Sequence, residues 1–216
     1  MKVLQGTKEF FKDIPQIKYE GIESDNPFAF RWYDENKIVA GKTMKEFLKF
    51  ACAYWHSFCN VGADPFGEGT HLFSWNEKAD AVERAKDKAD AAFEFITKLG
   101  LPFYCFHDVD VVDYTNDVAD NEKRLQAITA YLKEKQDASG VKLLWGTANL
   151  FSNRRYMNGA ATNPDFHVLA HGGREARAPV TLGTTARISM VRDPDGNWIE
   201  LSQRASLTGS LEPVAS

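Results

Sequence analysis

The strongest constraint in the sequence is a pattern over residues 81–145: a helical period ends at a glycine and an apolar run follows at once, twice in succession. Val82, Ala85, Ala89, Ala92, Phe93, Ile96 and Leu99 recur at helical spacing, and Gly100 supplies the left-handed residue that ends such helices. Leu101-Pro102-Phe103-Tyr104-Cys105-Phe106 then has the length of a strand and is apolar at successive positions, as a strand buried on both faces would be. The second unit predicts a helix over residues 117–138 with Leu125, Ile128 and Leu132 on one face, which Thr129 shares at a small cost in propensity. Gly140 ends it, and Val141-Lys142-Leu143-Leu144-Trp145 is the next strand. Alternation of this kind predicts βαβ units with right-handed crossovers, and so an α/β fold around a parallel sheet, barrel or open.

Residues 1–42 hold Pro15, Pro27, Phe28, Phe30, Trp32 and Tyr33 without a sustained helical period and are expected to form an extended arm. Thr43-Met44-Lys45-Glu46 has the spacing of a capping box, so a helix is expected to begin there. The segment from Phe50 to Phe58 fits either a continued helix or a short buried strand, and its period does not choose between them. Near the end of the chain, residues 186–192 and 197–202 flank Asp193-Pro194-Asp195-Gly196, where Pro and Gly preset a turn. An antiparallel hairpin over residues 172–204 and a loose tail over 205–216 are expected there.

The 216 residues carry 26 Lys+Arg against 30 Asp+Glu, a net charge of -4, with no basic run of the kind that neutralises phosphates, so a nucleic-acid partner is not expected. The apolar runs fall short of the roughly 20 residues a membrane helix needs, and the lysine-dotted start is no signal peptide. A cytoplasmic protein without a membrane partner is the expectation. Cys52, Cys59 and Cys105 are odd in number and lack metal-ligand spacing, so they imply neither a disulfide framework nor a zinc ribbon.

His107-Asp108-Val109-Asp110 is the most chemically suggestive group, because it lies where a buried strand ends and polar groups are delivered. A histidine held by a carboxylate there is a candidate general acid/base, although alternation along an extended segment does not by itself put His107 and Asp110 on one face. His56 and His71 stand alone and read as structural. His167 and His171 are four apart but lack the intervening Glu of a zinc helix. Trp55, Phe66, Trp145 and Phe151 lie near the expected strand ends, where aromatic walls suit sugars but also suit an ordinary core.

Several segments resemble the xylose isomerase family, in its longer class with an N-terminal arm. They are Tyr54-Trp55-His56 through Gly62-Ala63-Asp64-Pro65-Phe66-Gly67, Cys105-Phe106-His107-Asp108-Val109-Asp110, Leu144-Trp145-Gly146-Thr147-Ala148-Asn149-Leu150-Phe151, and Arg155-Tyr156-Met157-Asn158-Gly159-Ala160-Ala161-Thr162-Asn163-Pro164-Asp165. The resemblance runs in order over about residues 5–171. It implies an α/β fold that is a partial TIM (β/α)₈ barrel of three βα units over residues 43–171, with residues 51–58 as the first barrel strand. The implied activity is the interconversion of D-xylose and D-xylulose by a 1,2-hydride shift. Carried over by motif, His107 would assist opening of the sugar ring and Asp110 would hold its imidazole. Trp55 and Phe151 would line the sugar site, and Phe66 would reach a neighbouring subunit's site.

The resemblance also implies a divalent metal cofactor, Mg²⁺, Mn²⁺ or Co²⁺, but the family's ligands come from later strands than those recognised here, so the metal site is expected to be missing. A pentose or hexose sugar is the expected ligand, and exposed barrel edges predict a homo-oligomer or association with another chain. An alternative is a non-catalytic half-barrel that binds sugar. Residues 187–203 also resemble the last hairpin of a vicinal-oxygen-chelate module, in which Glu200 would be a metal ligand. A metal-dependent enzyme of that type is the second alternative.

Overall fold

Residues 2–149, 174–182, 184–192 and 198–205 are described by a computed structural model. The chain divides into one unit over residues 1–148 and a second over residues 149–216.

The arm folds through local hydrogen bonding. Strand β1 (Lys18–Tyr19) pairs in parallel with β2 (Ala29–Phe30), and β3 (Ile38–Val39) turns back onto β4 (Lys42–Thr43). The turn between the last two uses Ala40 and Gly41 at φ 47° and 81°, the pair of positive angles that a two-residue hairpin of matching twist requires. The expected capping box is present: Thr43 Oγ1 accepts from the Glu46 amide at 3.3 Å, and the Glu46 carboxylate accepts from the Thr43 amide at 2.7 Å. The helix it opens, α1 (Met44–Phe47), lasts a single turn.

Beyond it lie β5 (Ala51–Ala53), α2 (Tyr54–Ser57), α3 (Ala81–Leu99), β6 (Phe103–His107), α4 (Asp108–Val111), α5 (Val118–Ser139) and β7 (Lys142–Thr147). The strands form a parallel sheet in the order β5-β6-β7, as two consecutive crossovers through α3 and α5 require. Both crossover helices end at the predicted glycines, and each starts at an aspartate cap that sequence reasoning did not single out. Asp80 accepts from the Glu83 amide at 2.9 Å to start α3, and Asp117 accepts from the Ala119 amide at 2.8 Å to start α5. Gly100 and Gly140 close the two helices at φ 70° and 78°. Alternation along β6 sends Tyr104 and Phe106 into the core with Ala85, Ala89, Ala92, Phe93 and Ile96 of α3 and Ile128 and Leu132 of α5.

Two local expectations are corrected. Residues 51–58 do not form one strand: pairing stops at Ala53, and the chain coils into α2. The turn brings Tyr54 and Phe58, both buried, to a ring separation of 5.1 Å, whereas an extended strand would hold them about 13 Å apart and break the aromatic core. Thr129 does not share the buried face of α5. It is exposed and returns its hydroxyl to the Leu125 carbonyl at 2.8 Å.

The face of α3 turned to the arm is polar and yet buried. Glu94 is 0% exposed; its carboxylate accepts from the amides of Phe10 (2.7 Å) and Phe11 (3.0 Å) and pairs with Lys98 at 2.9 Å. Asp90 accepts from the Thr7 amide at 3.0 Å and from the Tyr131 hydroxyl at 2.7 Å, and it also pairs with Lys135. Thr97 accepts from the Leu4 amide at 3.0 Å, and Lys98 donates to the Phe11 carbonyl at 2.5 Å. The arm thus has no sheet to satisfy its backbone here and takes its partners from one helix stripe.

In the second unit, β8 (Arg174–Leu182), β9 (Ala186–Arg192) and β10 (Trp198–Arg204) form an antiparallel sheet in the order β10-β9-β8. The expected hairpin is β9–β10, with Trp198 opposite Arg192, and its turn lies outside the described residues. The expectation missed the third strand: β8 also pairs with β9, and its Pro179 is compatible with that pairing because β8 is an edge strand of this sheet.

Glu94→Ala should strip two backbone amides of their acceptor and Lys98 of one of its partners, and cost about 3–4 kcal/mol in urea unfolding. Burial raises the Asp90 carboxyl, but its hydrogen bonds with Lys135, Tyr131 and the Thr7 amide outweigh this and hold its pKa below the ordinary value. The stability this gives is complete above the ordinary carboxylate range near about 4 and is lost as pH falls through the lowered value. Asp90→Asn should therefore lower stability at neutral pH and flatten its acid dependence, measured as urea midpoints from about pH 6 to about pH 2.

Candidate functional site at the ends of the parallel strands

The C-terminal ends of β5, β6 and β7 bring three sequence-distant rings together. Trp55 is the second residue of α2, where the chain coils after β5. His107 ends β6 and Trp145 lies in β7. Ring centroids are 4.9 Å apart for Trp55 and His107, 5.5 Å for His107 and Trp145, and 5.3 Å for the two indoles. The three rings therefore pack against one another in a triangle, with the His107 side chain 16% exposed. Trp145, 39% exposed, opens one side of this cluster to solvent.

A change of backbone conformation within three residues joins His107 to Asp110. His107 is extended, with φ -95° and ψ 155°, and is also the N-cap of α4. The one-turn helix carries Asp110 back over the strand end, which an extended continuation would not do. Asp110 Oδ2 accepts from the His107 backbone amide at 2.7 Å and lies 3.0 Å from His107 Nδ1. Because a carboxylate only accepts, this contact assigns the hydrogen to Nδ1 and leaves Nε2 as the basic nitrogen of the neutral ring. The couple is shielded: Asp110 is 6% exposed.

The surroundings fix this turn further. Asp108 accepts from the Tyr114 hydroxyl and from the Val109 amide. Lys88 of α3, 8% exposed, donates to the Asp110 carbonyl at 2.9 Å, and Cys59 Sγ lies 3.3 Å from the same oxygen. Burial pushes the Cys59 thiol up, against the pull of the nearby Lys88 ammonium. Cys52 and Cys105 are buried free thiols, and burial raises both.

Of the residues singled out by sequence, His107, Asp110 and Trp55 come together here. Phe66 does not join them and stands 97% exposed in its loop. Phe151, His167 and His171 lie outside the described residues, and so does the side chain of Glu200, whose backbone is in β10. His56 is exposed beside Trp55, and His71 packs on Phe73 at 4.3 Å. Sequence reasoning noted Trp145 only as an aromatic near a strand end and missed Lys88. The position of Trp145 one βα unit after His107 was the available signal for the first. Nothing in the spacing marked the second.

Among the described residues, no group of three or more His, Cys, Asp or Glu side chains converges to hold a metal ion. None of the described helices is long and apolar enough to cross a membrane.

A parallel α/β unit that holds an imidazole–carboxylate couple beside two indoles at its strand ends belongs to the broad class of barrel-like and open-sheet proteins with sites at that edge. No family model matches the chain. It is, however, 55% identical to a protein named xylose isomerase 2 from Xanthomonas campestris pv. campestris over 178 residues, 82% of this chain and 40% of the relative. It is 54% identical to xylose isomerase 1 of the same organism over the same shares, and 57% identical to a xylose isomerase from Bacteroides thetaiotaomicron over 82% of this chain and 41% of that protein. Over this matched part the chain belongs to the xylose isomerase family, and it spans about 40% of the length of those relatives. The family implies a divalent metal, and the described residues present no donor set that fits one.

Asp110→Ala should leave the His107 amide and ring without their acceptor. The expected outcome is a loss of about 2 kcal/mol in urea unfolding and a shift of the neutral imidazole toward the Nε2–H tautomer, read from its nitrogen-15 NMR shifts.

Proposed function

We propose that this chain carries the sugar-contacting and ring-opening part of a xylose-isomerase-type site and acts on a pentose such as D-xylose. The observation that carries the reading is His107, oriented by Asp110 at 3.0 Å and packed on both Trp55 and Trp145. The indole faces pack against the C–H faces of a sugar. Opening a cyclic hemiacetal breaks the bond between C1 and the ring oxygen, removes the proton of the anomeric hydroxyl and adds one to the ring oxygen. His107 Nε2 suits that transfer, since Asp110 holds the other nitrogen and supports the imidazolium form while the proton is in transit. In this reading the three parallel strands correspond to the first three βα units of a (β/α)₈ barrel over residues 43–171, preceded by the arm of residues 1–42. Phe151 is a further sugar contact, and Phe66 reaches a neighbouring subunit. The hydride shift between C1 and C2 is assigned to no residue of this chain, because it is the step the family's metal serves.

A second reading is favoured by β7, whose residues Leu143, Leu144 and Trp145 are exposed by 38%, 51% and 39%. An apolar edge strand of this kind fits a sugar-binding half-barrel that associates with another chain.

The test is D-xylose binding by the purified chain, followed by tryptophan emission, together with conversion to D-xylulose in the presence of Mg²⁺, Mn²⁺ or Co²⁺ against an EDTA control. Saturable binding lost in Trp55→Ala, with metal-dependent turnover at least about 100-fold lower in His107→Ala, is the expected result. Glu200→Ala should match the unmutated chain. Binding without turnover favours the second reading, and a folded chain that does neither overturns both.

A further inference from the structure

Besides the stripe that faces the arm, α3 carries Arg84 and Lys88, one turn apart, and both reach the segment around α4. Arg84 pairs with Asp113 at 2.6 Å. Lys88 is the more unusual of the two: a buried ammonium that forms no ion pair among the described residues and donates to the Asp110 carbonyl at 2.9 Å, with Cys59 Sγ at 3.8 Å. Removing an ammonium from water costs several kcal/mol, and one backbone carbonyl and a thiol are modest compensation. A methionine would fill the same space without that cost.

The carbonyl it meets explains the placement. Asp110 is the third residue of the four-residue α4, so its C=O is among those that a helix end leaves without an internal partner. A cation there satisfies the orphan oxygen and sets the rotation of the Asp110 peptide. Anchoring that carbonyl holds the Asp110 backbone in place, and from the same residue the carboxylate Oδ2 meets both the amide and Nδ1 of His107.

We propose that Lys88 is the positioning residue of the His107–Asp110 couple, acting through the Asp110 backbone to keep the carboxylate on Nδ1. The functional meaning of this rests on His107 as the proton-transfer group, but the contact itself is read without any sugar or turnover. The experiment compares the full chain with Lys88→Met, both labelled with nitrogen-15 histidine. The His107 signals are assigned by His107→Gln and recorded at a pH above the imidazole titration. In the unmutated chain the Nδ1–H form should dominate. In folded Lys88→Met its share should fall about twofold or more toward the Nε2–H form usual for free histidine, and Lys88→Arg, which keeps a donor, should restore it.

An unchanged tautomer in folded Lys88→Met overturns the proposal even if sugar turnover is found. A changed tautomer supports it even if turnover is absent. Should Lys88→Met fail to fold, Lys88→Leu, which also lacks a donor, carries the same comparison. In the unmutated chain, the Lys88 ammonium protons should exchange with water more slowly than those of surface lysines, and equal exchange overturns the contact.

Discussion

The buried carboxylates of α3 are the constraint on which the first unit depends. One face of this helix is mostly small and apolar and lies against the parallel strands, while the opposite stripe, with Asp90, Glu94, Thr97 and Lys98, receives the backbone of the arm. A charged side chain buried without partners is among the costliest features a fold can contain. Here each of these four has a partner, and for each a residue of the arm supplies one. The arm therefore completes the helix, and the helix in turn positions both strands it connects. Remove the arm, and Glu94 and Asp90 lose the backbone amides that share their charge.

From that helix the dependence runs directly to the strand ends. β6 is central in its sheet and follows α3 after a three-residue connection, so His107 inherits the rigidity of the core. The site is a matter of backbone direction as much as of side-chain identity. An extended residue is followed by a single helical turn, and the turn folds the carboxylate of Asp110 back onto the residue that precedes it. At the neighbouring strand a similar change of direction at Tyr54 swings Trp55 toward the same imidazole. Both turns occur where strand pairing stops, and at such points backbone groups are free to take new partners.

Much of this was legible in the sequence, and the parts that were not share a cause. The two crossover helices, their Gly ends and the strands that follow them are written in local terms, period and breaker. The capping box at Thr43 is equally local. The strand at residues 51–58 was misread because Tyr54 and Phe58 satisfy either a strand or a helix, and only the ring of Tyr104 on the next strand decides between them. The buried polar stripe of α3 reads locally as a solvated face, since nothing in its spacing announces that a distant arm will lie over it. His107 and Asp110 were recognised as candidates, but their contact depends on a one-turn helix too short to leave a period. The third strand of the second unit, β8, was not read from the sequence, and its Pro179 is tolerated because β8 lies at an edge of this sheet.

The double role of Asp110 has a consequence for how freely the site can change. One of its bonds goes to the imidazole of His107, but the other goes to the backbone amide of that residue, which any amino acid other than proline would offer. The geometry of the strand end is thus secured independently of the ring it displays. Chemistry and architecture are separable at residue 107, and the position behaves as a socket that would hold a different side chain at the same place beside the two indoles.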